Sequence, residues 1–299
     1  MSEPRFKSVQ CTSPGGLHRV AYKEWGAPDN PKVLVCVHGV TRVGDDFDHL
    51  ARALCDTWRV VCPDIVGRGR SDRLRDPAGY QVSQYVADMV TLIARVTAGA
   101  GADADNEDVA WFGTSMGGLI GMMLAALDGS PISRLVINDI GPALGSEALQ
   151  RIGEYIAQDM RFPSFAAGAD YIKAVSATFG PHTDDEWHKL ASDVLRQDAD
   201  GQWRRHYDLN LAQPFRAITV ERAAEDEAAL WAAWDAITCP TLLVRGEESD
   251  LLSRATAQQM TTRGPRARLV ELPGVGHAPT FVHADQIALA RTFLTGTGS

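Results

Sequence analysis

The sequence is poor in cysteine and has no closely spaced cysteine pair. Its 299 residues include five cysteines, namely Cys11, Cys36, Cys55, Cys62 and Cys239. An odd number without a C-x-x-C pair argues against both a disulfide framework and a common zinc site. We therefore expect reduced thiols in a cytoplasmic protein, with Cys36 and Cys62 serving as small apolar side chains inside strands.

Long apolar runs and an excess of basic residues are also missing. No apolar stretch reaches the ~18 residues of a membrane span, and the first ten residues lack the apolar core of a secretory signal. Acidic residues number 38 against 29 lysines and arginines, for a net charge of -9. Because binding to phosphates requires clustered basic residues, we expect no nucleic-acid partner. The missing apolar runs predict no membrane partner, and we expect a small-molecule substrate.

One local run is rich in arginine. The segment from Arg68 to Arg75 holds four arginines, but it also contains Asp72 and has further aspartates on either side. This mixture predicts a solvated or salt-bridged loop rather than a phosphate site. Gly67 and Gly69 do not complete G-x-G-x-x-G, so the sequence does not predict a dinucleotide site.

Strand and helix signals alternate along most of the chain. A hairpin is predicted at 5–10 and 17–25, followed by strands at 32–38, 59–62, 109–113, 134–138, 241–245 and 267–272. Helices are predicted at 46–56, 80–97, 115–127, 254–262 and 283–294. This order indicates an α/β fold, with a mostly parallel sheet and helices as right-handed crossovers on its faces.

The block 142–233 differs from the rest because its strand signals vanish and helical segments take over. Since the sheet pattern resumes afterwards, we predict a core of 1–141 and 234–299 with 142–233 as a helical insertion. The aromatic residues of the insertion are Tyr155, Phe162, Tyr171, Trp187, Trp203 and Tyr207. We expect most of them in its core and one or two in the wall of an apolar pocket.

Ser115 lies in G-T-S-M-G, between a predicted buried strand and a predicted helix. This is the context that G-x-S-x-G requires for a strained turn that exposes a nucleophilic serine at a helix N-terminus. The alternative is a glycine-rich turn whose serine caps the helix. We interpret Ser115 as a nucleophile.

His277 is the histidine best placed to act as its base. It follows the last predicted strand in P-G-V-G-H, at the carboxyl edge of the sheet where sites of parallel α/β folds lie. We interpret His38 as a structural hydrogen-bonding residue rather than a second base. His182 and His188 match no common zinc spacing, so no metal site is predicted.

A carboxylate must orient this histidine. Asp250 follows the predicted strand 241–245 and precedes His277, which gives the order Ser, Asp, His. We therefore predict Asp250 as the acid. Asp139, at the end of the neighbouring strand, could reach the same histidine or could simply cap a turn. Glu247 and Glu248 are close to Asp250 in sequence and remain further alternatives.

The loop after the strand 32–38 should complete an oxyanion hole. One donor is expected to be the backbone N–H of Met116, and the other that of Val40, after a turn at Gly39. Arg42 follows in the same loop. It could bind an anionic group of the substrate, or it could pair with one of the nearby aspartates.

Taken together, these motifs resemble the α/β-hydrolase superfamily over nearly the whole chain. H-G-V at 38–40, D-I-V-G-R-G-R-S-D at 64–72, G-T-S-M-G-G at 113–118, R-G-E-E-S-D at 245–250 and G-V-G-H at 274–277 occur in family order. The resemblance implies an eight-stranded sheet, a helical cap inserted after the sixth strand, and hydrolysis of carboxylic esters.

The resemblance also narrows the chemistry. Serine at position 115 differs from the aspartate of members that open epoxides or displace halide, and Val40 breaks the H-G-G-G loop of many lipases. We predict a serine esterase that needs no cofactor, with lactones and thioesters as related substrates. The alternatives are a hydrolase of C–C bonds in ring-cleavage products and a non-catalytic binding protein of the same fold.

Overall fold

The computed structural model of the protein describes residues 3–98, 108–216 and 218–296. Its strands are β1 (Arg5–Ser13), β2 (Gly16–Trp25), β3 (Lys32–Val37), β4 (Arg59–Pro63), β5 (Asp108–Thr114), β6 (Ile132–Asn138), β7 (Arg161–Phe162), β8 (Leu195–Gln197), β9 (Trp203–Arg205), β10 (Thr241–Gly246) and β11 (Arg268–Leu272). Eight of them form one sheet in the order β1-β2-β4-β3-β5-β6-β10-β11. The pairings β1·β2 and β2·β4 are antiparallel, and the other five are parallel. The predicted mostly parallel sheet and its opening hairpin are confirmed.

Helices connect these strands. They are α1 (Asp48–Leu54), α2 (Val82–Thr97), α3 (Met116–Ala125), α4 (Ser146–Ala157), α5 (Phe165–Val175), α6 (Asp184–Val194), α7 (Gln213–Arg216), α8 (Val220–Ala236), α9 (Arg254–Met260) and α10 (Ala284–Thr295). Within the described ranges, no helix combines the length and the apolar character that crossing a bilayer would require.

The central strands are buried on both faces because consecutive side chains point into different layers. In β5, Trp111 belongs to one apolar cluster, whereas Phe112 belongs to the other. The Phe112 ring meets the ring of Phe281 edge-on at 4.6 Å. Cys36 and Cys62 lie fully buried in β3 and β4, as predicted.

The block 142–233 contains α4 to α7 and most of α8, together with a small antiparallel sheet in the order β7-β9-β8. The expectation that this block has no strands was wrong. These strands are only two or three residues long, too short for an alternating pattern to show in the sequence. The small sheet borders an apolar cluster that includes Phe162 and Ile172.

Candidate active site

Ser115 occupies the turn between β5 and α3 in a strained conformation. Its backbone has φ 51° and ψ −117°. Residues other than glycine rarely adopt a positive φ of this kind. The N–H of Ser115 donates to the carbonyl oxygen of Asn138 at 2.9 Å, which ties the turn to the end of β6. The sequence prediction of a strand, a sharp turn and a helix is confirmed here.

Glycines permit this turn because backbone passes where side chains would otherwise lie. A Cβ added to Gly113 would be 2.2 Å from the carbonyl oxygen of Gly117. A Cβ added to Gly117 would be 2.0 Å from the carbonyl oxygen of Val37 in β3. Both approaches are far inside van der Waals contact, so the packing of α3 onto the sheet requires glycine at both positions.

His277 lies between Ser115 and a buried carboxylate. Its Nε2 is 2.9 Å from Ser115 Oγ, and its Nδ1 is 2.8 Å from an Oδ2 of Asp139. The side chain of His277 is 23% exposed, whereas that of Asp139 is completely buried. Because the carboxylate accepts a hydrogen bond from Nδ1–H, the geometry leaves Nε2 facing the serine hydroxyl.

Asp139 reaches the histidine because it is the first residue after β6. Its backbone has φ 59°, and its N–H donates to Val244 of β10 at 2.8 Å. The second carboxylate oxygen accepts the N–H of Gly246 at 2.9 Å. The Asp139 side chain therefore links the end of β10 to the imidazole of His277.

The prediction that Asp250 orients His277 was wrong. The Asp250 side chain is 60% exposed and pairs with Arg151 at 2.6 Å. It lies four residues beyond the end of β10, in a loop that folds over the buried Arg245. The guanidinium of Arg245 donates to the carbonyl oxygens of Ser249 and Leu252, and this loop path leaves Asp250 on the surface.

The loop that carries His277 is held by the core. The amide Nδ2 of Asn138 donates to the carbonyl oxygen of Pro279 at 2.8 Å and to Thr114 Oγ1 at 3.0 Å. Asn138 is fully buried. Asn138 thus joins Thr114, the residue before Ser115, to the histidine loop. In the sequence it is recognisable only as a polar residue at the end of a buried strand.

The inserted block also forms hydrogen bonds with this loop. Thr178 Oγ1 donates to the carbonyl oxygen of His277 at 3.1 Å, and the Thr178 carbonyl accepts the N–H of Gly276. His182 Nε2 is 2.8 Å from Thr280 Oγ1. Nothing in the sequence pointed to Thr178, since this contact exists only in the folded chain.

The two predicted oxyanion donors belong to chain segments that come close to Ser115. Met116 is the first residue of α3, so its N–H has no carbonyl partner one turn back in the helix. Val40 follows Gly39, which is so close to the serine that an added Cβ would be 3.7 Å from Ser115 Cβ. The loop after β3 and the start of α3 therefore converge at the serine.

His38 links this loop to the segment after β4 by two hydrogen bonds. Its Nε2 accepts the N–H of Ile65 at 3.0 Å, so Nδ1 carries the proton and donates to the carbonyl oxygen of Gly39 at 2.7 Å. Burial lowers the pKa of His38 to about 3, which keeps the ring neutral. The interpretation of His38 as a structural hydrogen-bonding residue is confirmed.

Arg42 is engaged within the protein. Its guanidinium forms a bidentate pair with Asp46, at 2.6 and 2.7 Å, and donates to the carbonyl oxygen of Leu190 in α6. Of the two possibilities for Arg42, the structure shows the pairing with a nearby aspartate. This contact joins the loop after β3 to the inserted block.

Ser115 opens into a cavity of about 750 Å³. The inserted block supplies an apolar wall that includes Leu144, Leu149, Ile152, Phe215, Ile218 and Leu230. The aromatic residue of this wall is Phe215, and none of the six aromatics singled out from the sequence lines the cavity. The volume and apolar lining are those of a small-molecule site.

One buried group of potential metal ligands lies elsewhere, between the β1–β2 hairpin and α2. It consists of Cys11, His18 and Asp88, with donor atoms within 4.8 Å of one another. His18 Nε2 already contacts Asp88 Oδ2 at 2.9 Å. Burial raises the pKa of the Cys11 thiol to about 12, which disfavours the thiolate that a metal would require.

A serine on a strand-to-helix turn, contacted by a histidine from the loop after the last strand, defines the class of α/β-hydrolases. The alpha/beta hydrolase family matches residues 34–290 of this chain. The chain belongs to this family, as the sequence predicted.

The relatives and solved structures agree with this assignment. A 3-hydroxybutyrate-oligomer hydrolase of Cupriavidus necator is 54% identical over 298 residues, which are 99% of this chain and 99% of that protein. An esterase of Mycobacterium tuberculosis is 31% identical over 297 residues, covering 95% of this chain and 85% of its own length. A solved alpha/beta hydrolase of Novosphingobium aromaticivorans has a TM-score of 0.82 at 35% identity, with 99% of each chain covered. The protein is an enzyme that hydrolyses ester bonds.

Proposed function

We propose that the protein cleaves short oligomers of a hydroxyacid, such as 3-hydroxybutyrate, through an acyl-enzyme on Ser115. The observation that carries the mechanism is the hydrogen-bond path from Ser115 through His277 to Asp139, which opens into the apolar cavity. The substrate class comes from the relative in Cupriavidus necator, which matches this chain from end to end at 54% identity.

In the first step, Ser115 Oγ attacks the ester carbonyl carbon while His277 Nε2, 2.9 Å away, takes the hydroxyl proton. The buried carboxylate of Asp139 stabilises the imidazolium that forms. The oxyanion accepts hydrogen bonds from the N–H groups of Met116 and Val40, aided by the field at the start of α3.

His277 then gives its proton to the leaving alkoxide, and an alcohol departs. A water molecule, deprotonated by His277, attacks the acyl-enzyme and releases the acid, which restores Ser115. Each step moves one proton between oxygen and Nε2, so the scheme needs no metal and no organic cofactor.

The block 142–233 acts as a cap over this site. It supplies the apolar wall around Phe215 and also holds the histidine loop through Thr178. Excluding water from this wall strengthens the electrostatic interactions at the reacting carbonyl. Acyl-chain preference should therefore depend on the cap.

Steady-state kinetics with two substrates test the proposal. Wild type should hydrolyse the 3-hydroxybutyrate dimer, and Ser115→Ala should lower kcat by about 10⁴- to 10⁶-fold. A vinylogous 1,5-diketone should react far more slowly than the ester. Faster turnover of the diketone would favour C–C hydrolysis, and turnover of neither compound by folded wild type would favour a binding protein.

A further inference from the structure

Arg68 is a cation buried in the wall of the cavity that contains Ser115. Its residue surface is 2% exposed. Nε donates to the carbonyl oxygen of Val40 at 2.9 Å, and Nη1 donates to the carbonyl of Val66 and to the Tyr85 hydroxyl. Nη2 donates to the thioether sulfur of Met116 at 3.2 Å.

No carboxylate in the described ranges lies within ion-pair distance of Arg68. Two of the other buried arginines, Arg59 and Arg245, do have a carboxylate oxygen within 3.9 Å. Arg205, which also lacks one, is stacked among tyrosine rings outside this cavity. The loop of Arg68 was expected to be solvated or salt-bridged, and at Arg68 the structure shows neither.

Asp208 is a buried acid near this wall, and its oxygens are already used. Its Oδ2 accepts the Tyr80 hydroxyl at 2.7 Å, and its Oδ1 accepts the N–H of Asn210 at 3.0 Å. Tyr80 also lines the cavity. Asp208 therefore hydrogen-bonds to Tyr80 and Asn210 and does not pair with Arg68.

The hydrogen-bonding capacity of Arg68 is also incomplete. A guanidinium has five N–H groups, and three of those on Arg68 donate to oxygen. Among the residues that the structure describes, the two on Nη2 have only the Met116 sulfur, which is a weak acceptor. A buried cation with unsatisfied donors is costly unless an anion completes it.

Arg68 lies next to both residues whose N–H groups are the proposed oxyanion donors. Arg68 contacts the Val40 carbonyl and the Met116 side chain, and the N–H groups of these same two residues are the proposed oxyanion donors. An anion bound by Nη2 would therefore lie beside the ester that Ser115 attacks.

We propose that Arg68 binds a carboxylate of the substrate, one hydroxyacid unit away from the bond that is cleaved. This inference rests on the proposed function. In a hydroxybutyrate dimer the carboxylate carbon is four bonds from the ester carbonyl carbon, a span of about 5 Å. The enzyme would then prefer a terminal ester next to a free carboxylate.

The other charged residues of the cavity wall lie on α8 and are more exposed. Arg222 pairs with Asp226 at 3.0 Å, and their side chains are 62% and 47% exposed. Solvent screens this pair, so it discriminates poorly between anionic and neutral substrates. Arg222 therefore offers a matched control for Arg68.

The test compares the 3-hydroxybutyrate dimer with its primary amide, which has the same ester but no negative charge. For wild type, kcat/KM of the acid should exceed that of the amide by about 10- to 100-fold. Arg68→Gln should reduce this ratio to near one, Arg68→Lys should restore part of it, and Arg222→Gln should leave it unchanged. A wild-type ratio near one, or an equal loss for both substrates in Arg68→Gln, would overturn the inference.

Inhibition of the wild type covers the case in which Arg68→Gln does not fold. Butyrate should inhibit hydrolysis of the dimer amide about tenfold more strongly than butyramide, and equal inhibition would overturn the role of Arg68. Failure of wild type to cleave either dimer would overturn the proposed function and this inference with it. Equal cleavage of both dimers would overturn the inference alone.

Discussion

The carboxylate of Asp139 and the backbone N–H of Gly246 are joined by a hydrogen bond of 2.9 Å. This bond connects the ends of two neighbouring parallel strands, β6 and β10. The other oxygen of Asp139 faces His277 at 2.8 Å. The end of β10 therefore contributes a backbone donor that fixes the carboxylate of Asp139, a residue that directly follows β6.

Asp139→Asn should lower kcat for ester hydrolysis by about 10³- to 10⁴-fold, because an amide no longer stabilises the imidazolium or fixes its tautomer. Asp250→Asn is the matched control. It removes only an exposed pair with Arg151, so its kcat should stay within about twofold of wild type. The reverse ranking in steady-state assays would mean that Asp250 is the acid.

The sequence alone does not distinguish Asp139 from Asp250 as the partner of His277. Each follows a strand at the same edge of the sheet, and both precede His277 in the chain. What separates them is the loop path beyond β10, which depends on contacts of Arg245 with residues that follow it. No periodicity and no motif in the sequence predicts the path of this loop.

Features that depend on local backbone chemistry could be predicted from the sequence. The turn at Ser115 could be predicted because glycines and a flanking strand and helix are necessary for it. His277 could be predicted because it follows the last strand of a parallel pattern. Phe215 and Thr178 could not, since their places at the cavity and at the histidine loop arise from the packing of the inserted block.

Gly117→Ala should destabilise the protein by about 3 kcal/mol, because the added Cβ would be 2.0 Å from the Val37 carbonyl oxygen. Elsewhere in a helix the same change usually stabilises by about 0.5–1 kcal/mol. Gly145→Ala is the control, since an added Cβ there meets nothing within 4 Å. Urea unfolding that gives similar midpoints for both variants would contradict the close contact.

The free energy of unfolding should decrease as the pH is lowered, and His38 should account for part of this decrease. Its pKa is about 3 in the folded protein against an ordinary 6.5, so below pH 6.5 the unfolded chain binds a proton that the folded protein does not. The free energy of unfolding therefore declines as the pH falls from 6.5 towards 3.

Between pH 7 and pH 5 this decline should be about 2 kcal/mol smaller in His38→Gln than in wild type. His206, whose burial lowers its pKa to about 4, titrates in both proteins and cancels in the difference. Urea unfolding at the two pH values measures the effect. Parallel declines in the two proteins would show that His38 is not held neutral.

Intact mass after treatment with a fluorophosphonate tests the central claim most directly, because this probe reacts with a serine only where a base and an oxyanion site activate it. Wild type should gain one adduct, Ser115→Ala should gain none, and Asp139→Asn should react far more slowly than Asp250→Asn. An adduct on Ser115→Ala, or folded wild type that remains unmodified, would contradict an activated serine at Ser115.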